Sequence, residues 1–88
     1  MKYYFIYYKC TRYGWLPKEL GGASTGSYVV ECQAITDIHP IQWQIDCNEE
    51  YDKERVRSDG HVVREEYMVV SWQELTKLEY EKYNGNIG

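Results

Sequence analysis

Residues 2–9, KYYFIYYK, are the clearest indication of secondary structure in this chain. Aromatic and β-branched side chains favour the pleated surface of a sheet, so the stretch predicts a β-strand. Side chains alternate across a strand, which places Tyr3, Phe5 and Tyr7 on one face and the residues between them on the other. Both faces are apolar in body. We therefore expect a central strand, covered by a helix on one side and by a second subunit on the other.

Two more stretches have the composition of strands. Residues 28–35, YVVECQAI, alternate apolar and polar side chains, and residues 65–73, EEYMVVSWQ, do the same with Met68, Val70 and Trp72 on the predicted core face. We expect both stretches to pair with the first strand in a mostly antiparallel sheet.

Residues 36–51 fit a helix or a strand. Apolar residues occupy every second position from 41 to 47, which indicates a strand. Thr36 or Asp37 is a suitable helix cap, however, and Pro40 suits a first helical turn. The capping signals favour the helix.

Residues 10–27 show no periodicity and predict a long irregular connection. Within them, residues 21–27, GGASTGS, have the backbone amides and hydroxyls to wrap an anion, but they lack the P-loop spacing and lysine. A flexible hairpin connection is the favoured interpretation.

Residues 52–64 are polar and contain a turn at Ser58-Asp59-Gly60. Thr76 and Glu79 form a capping box, which predicts a final helix to about Tyr83, ended by Asn84-Gly85. The elements give a ββαβα order. The prediction is a single α+β domain over residues 1–88, with a mostly antiparallel three-stranded sheet and two helices.

The chain is rich in aromatic residues for its length, with ten Tyr, three Trp and one Phe among 88 residues. A domain of this size has a small core, so we expect some rings to remain outside it. This surplus predicts a homodimer or higher homo-oligomer.

The net charge of −4 and the absence of a strongly basic region argue against general nucleic-acid binding, which phosphate neutralisation dominates. The longest uncharged apolar run, Tyr3 to Tyr8, is far below the ~20 residues of a membrane span, and Lys2 leads into it without the pattern of a signal peptide. We expect no membrane partner.

The three cysteines, Cys10, Cys32 and Cys47, are odd in number and widely spaced, which is atypical of a small secreted protein. They predict reduced thiols and a cytoplasmic location. Asp37 and His39 are two residues apart, but two ligands do not make a metal site. We expect no metal and no cofactor.

An enzyme is the third choice among function classes. A Cys–His nucleophile pair would need one of the thiols beside His39 or His61, and no local signature supports such a pair. We expect no catalytic residues.

The segments KYYFIYYK, ITDIHPIQWQ and VVSWQELTKLEYEKY together resemble a set of small uncharacterised bacterial and phage proteins. The resemblance covers the two ends and the middle of the chain and carries no established activity. It implies a phage-like or mobile-element context, in which small proteins are often inhibitors of host defence.

Two polar segments carry the candidate ligand-binding residues. Arginine offers bidentate contacts to phosphate, and Tyr or Trp offers a stacking face for a base. The candidate anion contacts are Arg12, Arg57, His61 and Arg64, and the candidate stacking residues are Tyr13 and Trp15. The simpler interpretation is a solvated loop whose arginines pair with nearby Asp and Glu.

Two functions follow from these residues. The first is a small non-enzymatic protein, of the kind that inhibits bacterial defence, which sequesters a nucleotide-like anion. The alternative is an inhibitor or adaptor that docks an aromatic-rich surface on a larger partner protein, because Tyr, Trp and Arg dominate interface energetics.

Overall fold

The computed structural model describes the backbone of residues 1–87 and the side chains of residues 1–83. Those residues form an α+β fold, as predicted, with two helices and four antiparallel strands instead of three. The strands are β1 (Tyr3–Trp15), β2 (Ser24–Thr36), β3 (Arg55–Val56) and β4 (Val62–Leu75), and the helices are α1 (Pro40–Tyr51) and α2 (Lys77–Ile87). The strand order in the sheet is β2-β1-β4-β3.

β1 and β2 form a hairpin much longer than predicted, so the prediction of an irregular segment over residues 10–27 is wrong. The strands continue to Trp15 and restart at Ser24, because Gly14 and Gly26 pair across the ladder and do not break it. The hairpin interpretation of residues 21–27 is correct. Within the connection, the amides of Gly21 and Gly22 donate to carbonyls of the preceding turn, so they are not free to wrap an anion.

The side chains of β1 alternate between the two faces of the sheet, and a helix covers each face. On one face, Tyr8 packs against Trp43 of α1, with ring centroids 4.8 Å apart. On the other, Tyr3 stacks on Tyr80 of α2 at 4.1 Å. The predicted alternation is therefore confirmed. The second cover at this end of the sheet is α2, where the sequence predicted another subunit.

A bulge in β4 overturns part of the predicted core. Tyr7 pairs with Ser71 and Tyr8 with Val69, so Val70 is an extra residue. An extra residue shifts the side-chain alternation, and Met68 and Trp72 therefore lie on opposite faces. Met68, Val70 and Trp72 are 55%, 49% and 47% exposed, and the prediction that they share a core face is wrong.

Residues 36–51 contain a helix, as favoured, but its cap is His39. The Nδ1 atom of His39 accepts a hydrogen bond from the amide of Ile41 at 3.2 Å. Thr36, a predicted cap, instead accepts from the amide of Ile38 within the turn. Pro40 occupies the first helical position, as expected.

α1 also completes the hydrogen bonding of β4, which β3 covers only at Val62 and Val63. Gln44 accepts from the amide of Val69 at 2.7 Å. Asn48 accepts from the amide of Tyr67 at 2.8 Å and donates to its carbonyl at 3.1 Å. The helix thus takes the place of a neighbouring strand along this edge.

The capping box at the start of α2 is confirmed. The Thr76 amide donates to Glu79 Oε1 at 3.0 Å, and the Glu79 amide donates to Thr76 Oγ1 at 3.1 Å. The helix continues to Ile87, so the predicted stop at Asn84-Gly85 is wrong. A glycine inside a helix costs only about 1 kcal/mol relative to alanine, which does not end it.

Candidate functional site

A groove of about 570 Å³ lies at the end of the sheet formed by the β1–β2 connection and the β3–β4 turn. It is lined by residues 12–15, 25–28 and 61–65, together with Arg55 and Arg57. All six predicted ligand-binding residues border it. The two polar segments are distant in sequence and meet at one end of the molecule.

The groove opens on the sheet face that carries α1. Arg55 and Arg57 both line it, whereas Val56 between them does not. Arg55 pairs with Val63, which pairs with Gly14 of β1, so the Arg55 side chain lies on the same face as Arg12. On that side Arg55 binds Glu65, which also accepts from Tyr67, and the Tyr67 ring packs on α1.

Arg12 forms one wall of the groove. Its Nη1 donates to the Tyr28 hydroxyl at 3.4 Å, its guanidinium lies 5.9 Å from the Tyr28 ring centroid, and its Nε is 4.0 Å from Glu65. The Tyr28 contact raises the pKa of Arg12 further, with a smaller contribution from the Glu65 charge. Arg12 is therefore a permanent cation with a long, weak ion pair.

Glu65 is the acidic centre of the site. It accepts from Arg55 at 3.0 Å, from the Tyr67 hydroxyl at 2.9 Å and from the Cys10 thiol at 3.6 Å. Partial burial raises its pKa, but these hydrogen bonds together outweigh burial, and the pKa of Glu65 lies below its usual value. Glu65 is thus a carboxylate that holds the groove's side chains in position.

The β3–β4 turn contributes the exposed part of the site. Arg57 Nη2 lies 3.5 Å from Asp59, and His61 Nδ1 lies 3.2 Å from the same carboxylate. The backbone amide of His61 donates to Asp59 and lowers the pKa of Asp59, with help from the Arg57 charge. Gly60 adopts φ +86°, which the predicted turn at Ser58-Asp59-Gly60 requires. Here the Arg57 and His61 side chains share one acid.

Three of the six predicted residues place their side chains on the opposite face of the sheet. Tyr13 and Trp15 alternate with Arg12 along β1, and their rings stack with centroids 6.4 Å apart. Arg64 pairs with Tyr13 across the ladder, lies 4.4 Å from the Tyr13 ring centroid and forms an ion pair with Asp52 at 3.1 Å. Tyr13 and Trp15 border the groove through the strand, and their rings face away from it.

The sequence reasoning missed the residues that take their place. Tyr28, whose side chain is 59% exposed, is the aromatic ring on the groove face. Gly14 and Gly26 form the floor, and a Cβ on Gly14 would lie 2.7 Å from Thr25 Oγ1. The register of the hairpin would have identified Tyr28, because residues paired across a ladder lie on the same face and Tyr28 pairs with Arg12. That register could be found only by extending β1 beyond residue 9.

The groove-lining residues include no cysteine. Cys10 is buried, and burial followed by the Glu65 charge raises the pKa of its thiol. Burial likewise raises the pKa of Cys47. A raised pKa disfavours the thiolate, which is the nucleophilic form.

Within residues 1–87, no cluster of three or more metal-ligating side chains occurs. In the same part of the chain, no helix is both long enough and apolar enough to cross a membrane. No protein-family model, curated protein or solved structure matches the chain.

Proposed function

We propose that this protein binds a small nucleotide-like anion in the groove and sequesters it without chemistry. The observation that carries the proposal is the assembly of Arg12, Arg55, Arg57 and His61 around one groove of about 570 Å³. Ligand sites commonly have volumes of about 300–1,000 Å³ and a few convergent polar groups.

The phosphate contacts are assigned to the arginines. Arg57 is 62% exposed and pairs only loosely with an exposed acid, Asp59. Such screened pairs are worth at most about 1 kcal/mol, so exchanging Asp59 for a phosphate oxygen costs little. Arg12 Nη1 donates to Tyr28, but Arg12 Nε lies 4.0 Å from Glu65, longer than a hydrogen bond, which leaves that donor available to a ligand.

The base contact is assigned to Tyr28. Its ring is more than half exposed beside the Arg12 guanidinium, so a planar ligand can stack on it while its phosphates meet the cations. Stacking on an aromatic side chain contributes about 1–3 kcal/mol per base. Tyr28 thereby takes the role that the sequence assigned to Tyr13 and Trp15.

Binding without catalysis is favoured by Cys10 and Cys47, because burial raises the pKa of both thiols and so disfavours the nucleophilic thiolate. The resemblance to small phage and bacterial proteins supports a role for such sequestration in inhibiting a host defence. A ligand held and not consumed would be removed from signalling in proportion to the amount of protein.

Titration calorimetry with mono-, di- and cyclic nucleotides, and with inorganic phosphate as reference, tests the proposal. We expect one nucleotide class to bind with a micromolar Kd. The double variant R12A/R57A should weaken it at least tenfold, because each charge-assisted hydrogen bond contributes about 1.5–3 kcal/mol. The matched control K18A removes an exposed cation from the hairpin connection and should bind normally. No heat across the panel at tens of micromolar protein contradicts the proposal.

A second function, docking on a larger protein, is favoured by a different surface. Val29 and Met68 flank β1 on the face opposite the groove and are 56% and 55% exposed. Affinity capture from native lysate with wild type and M68E tests it. We would expect a stoichiometric partner that M68E loses and R12A/R57A retains, and recovery of none would count against this second function.

A further inference from the structure

We propose that the free edge of β2 pairs with β2 of a second copy of this chain, antiparallel and about a two-fold axis. β2 is one of the two outer strands of the sheet and spans 13 residues, Ser24–Thr36. An outer strand presents unpaired amides and carbonyls, which form a template for another strand. The proposal is independent of the groove and its ligand.

The two edges of the sheet differ in how their backbone groups are hydrogen-bonded. At the β4 side, β3 covers the first residues, and Gln44 and Asn48 of α1 hydrogen-bond the backbone at Tyr67 and Val69. In the part of the chain that the structure describes, no helix side chain makes an equivalent hydrogen bond to β2. One edge is thus closed within the subunit, and the other is left for pairing.

The sequence of β2 lacks the features that keep an edge strand from pairing with another chain. Natural edge strands avoid pairing by means of Lys, Pro, bulges or short length. The β2 sequence, STGSYVVECQAIT, has no Lys, Arg or Pro, and its irregularity is confined to the start, opposite Gly14 and Trp15. Its single charge is on Glu31, whose carboxylate accepts from the Tyr7 hydroxyl of β1 at 2.8 Å. This contact draws the charge inward, away from the free edge.

A second copy of β2 is the occupant that these features fit. An antiparallel pair of identical strands is self-complementary, as a closed two-fold interface requires. With one acid and no base, the β2 edge offers no charge pattern for a different partner to match. Two such edges match each other through their backbone amides and carbonyls in every register that keeps the two Glu31 residues from facing.

The area that the β2 edge can bury sets the expected affinity of the dimer. Thirteen residues at about 3.4 Å each make an edge about 44 Å long, and a sheet layer about 10 Å thick then gives roughly 400–450 Å² per copy. The total of roughly 800–900 Å² is below the roughly 1,200–2,000 Å² of specific, stable interfaces and in the size range of weak, transient ones. We therefore expect a reversible dimer with a dissociation constant in the micromolar range.

The pairing has a geometric consequence for the groove. A two-fold axis that joins β2 to β2 in one sheet is normal to that sheet, so both copies present α1 and the groove on the same side. Residues 25–28 of β2 line the groove. Each groove would therefore lie beside the junction, with its β2 wall supported by the partner strand.

Sedimentation velocity over a hundredfold concentration range tests the proposal. The subunit mass is 10.5 kDa, and we expect the observed mass to approach twice that value as concentration rises. The variant V29E places a second carboxylate beside Glu31 on each strand, and like charges across a strand pair are destabilising. It should raise the dimer dissociation constant about tenfold or more.

The matched control is V56E, which adds the same charge at a 74% exposed valine on β3, at the other edge of the sheet. It should dimerise as wild type does. Thermal unfolding of both variants shows whether each remains folded. Hydrogen exchange gives a second readout that needs no variant, because alternate β2 amides point away from β1 and should gain protection as concentration rises.

Two results would overturn the proposal. One is a mass of 10.5 kDa up to several hundred micromolar, with the outward amides of β2 exchanging at the same fast rate throughout. The other is a dimer that V29E leaves as tight as wild type, which would place the interface elsewhere.

Discussion

Glu65 connects the stability of the protein with its groove. It accepts hydrogen bonds from Arg55, Tyr67 and Cys10 while its side chain is only 22% exposed. We expect E65Q to destabilise the protein by about 2 kcal/mol at pH 7, because hydrogen bonds to a charged group contribute about 1.5–3 kcal/mol. Urea unfolding monitored by tryptophan fluorescence measures this change.

The difference in stability between wild type and E65Q is expected to depend on pH. The pKa of Glu65 is lowered in the folded protein, so its stabilisation is present above its unfolded pKa of about 4.3 and is lost as pH falls through the folded value. The gap between wild type and E65Q should therefore close below about pH 4. The neighbouring E66Q, on the other face and exposed, is the control. A gap that stays constant from pH 7 to pH 3 would show that the ionised form of Glu65 is unimportant.

Residue types in the site were predictable, but the faces on which they lie were not. Arg12, Arg57 and His61 were identified because Arg and His side chains can contact an anion and these lie in polar segments with aromatic residues nearby. Tyr13 was paired with Arg12 for the same reason. Adjacent residues of a strand point in opposite directions, however, and the segment was predicted to be a loop, where no such rule applies.

At the scale of elements, the capping box of α2 is a local feature that sequence spacing alone identified. The substitution T76A removes the hydroxyl that accepts from the Glu79 amide and should cost about 1 kcal/mol. It should also weaken the stacking of Tyr80 on Tyr3, because that contact depends on where α2 begins.

Urea unfolding of T76A beside S58A checks the prediction. Ser58 is exposed in the β3–β4 turn, so S58A also removes a side-chain hydroxyl, but at a position outside a helix. Equal stability of the two variants would show that the cap contributes nothing.

The hairpin and the bulge escaped sequence reasoning for one physical reason. Glycines at 14 and 26 resemble strand breakers when each is considered alone, yet they face each other across the β1–β2 ladder, where neither interrupts pairing. Val70 resembles a core residue by alternation, and the bulge is visible only once β4 is paired with β1. Both depend on contacts between distant segments.

At the scale of the molecule, aromatic side chains exceed what the interior encloses, as their number in the sequence indicated. Among the large rings, Tyr4 is buried, whereas Tyr28, Tyr51, Trp72 and Tyr83 are at least 36% exposed. The molecule is also elongated, 51 Å by 25 Å by 18 Å, because the strands of the hairpin extend well beyond the two helices. The groove lies on this extension.

The fold thus has two structurally different ends. One end, where α1 and α2 cover both faces of β1, provides the stability of the fold. The other end holds Arg12, Tyr28 and Arg57 on an open sheet surface. This separation predicts that R12A and R57A will change ligand binding with little effect on unfolding, in contrast to the substitution of Glu65.

Amide chemical-shift mapping by NMR tests whether the groove is the ligand site. Each nucleotide of the calorimetric panel is added at up to millimolar concentration to labelled wild-type protein. The largest shifts are expected at Gly14, at Gly26 and within residues 61–65. Absence of shifts with every nucleotide, or shifts centred on α2 and the start of β1, would contradict the claim.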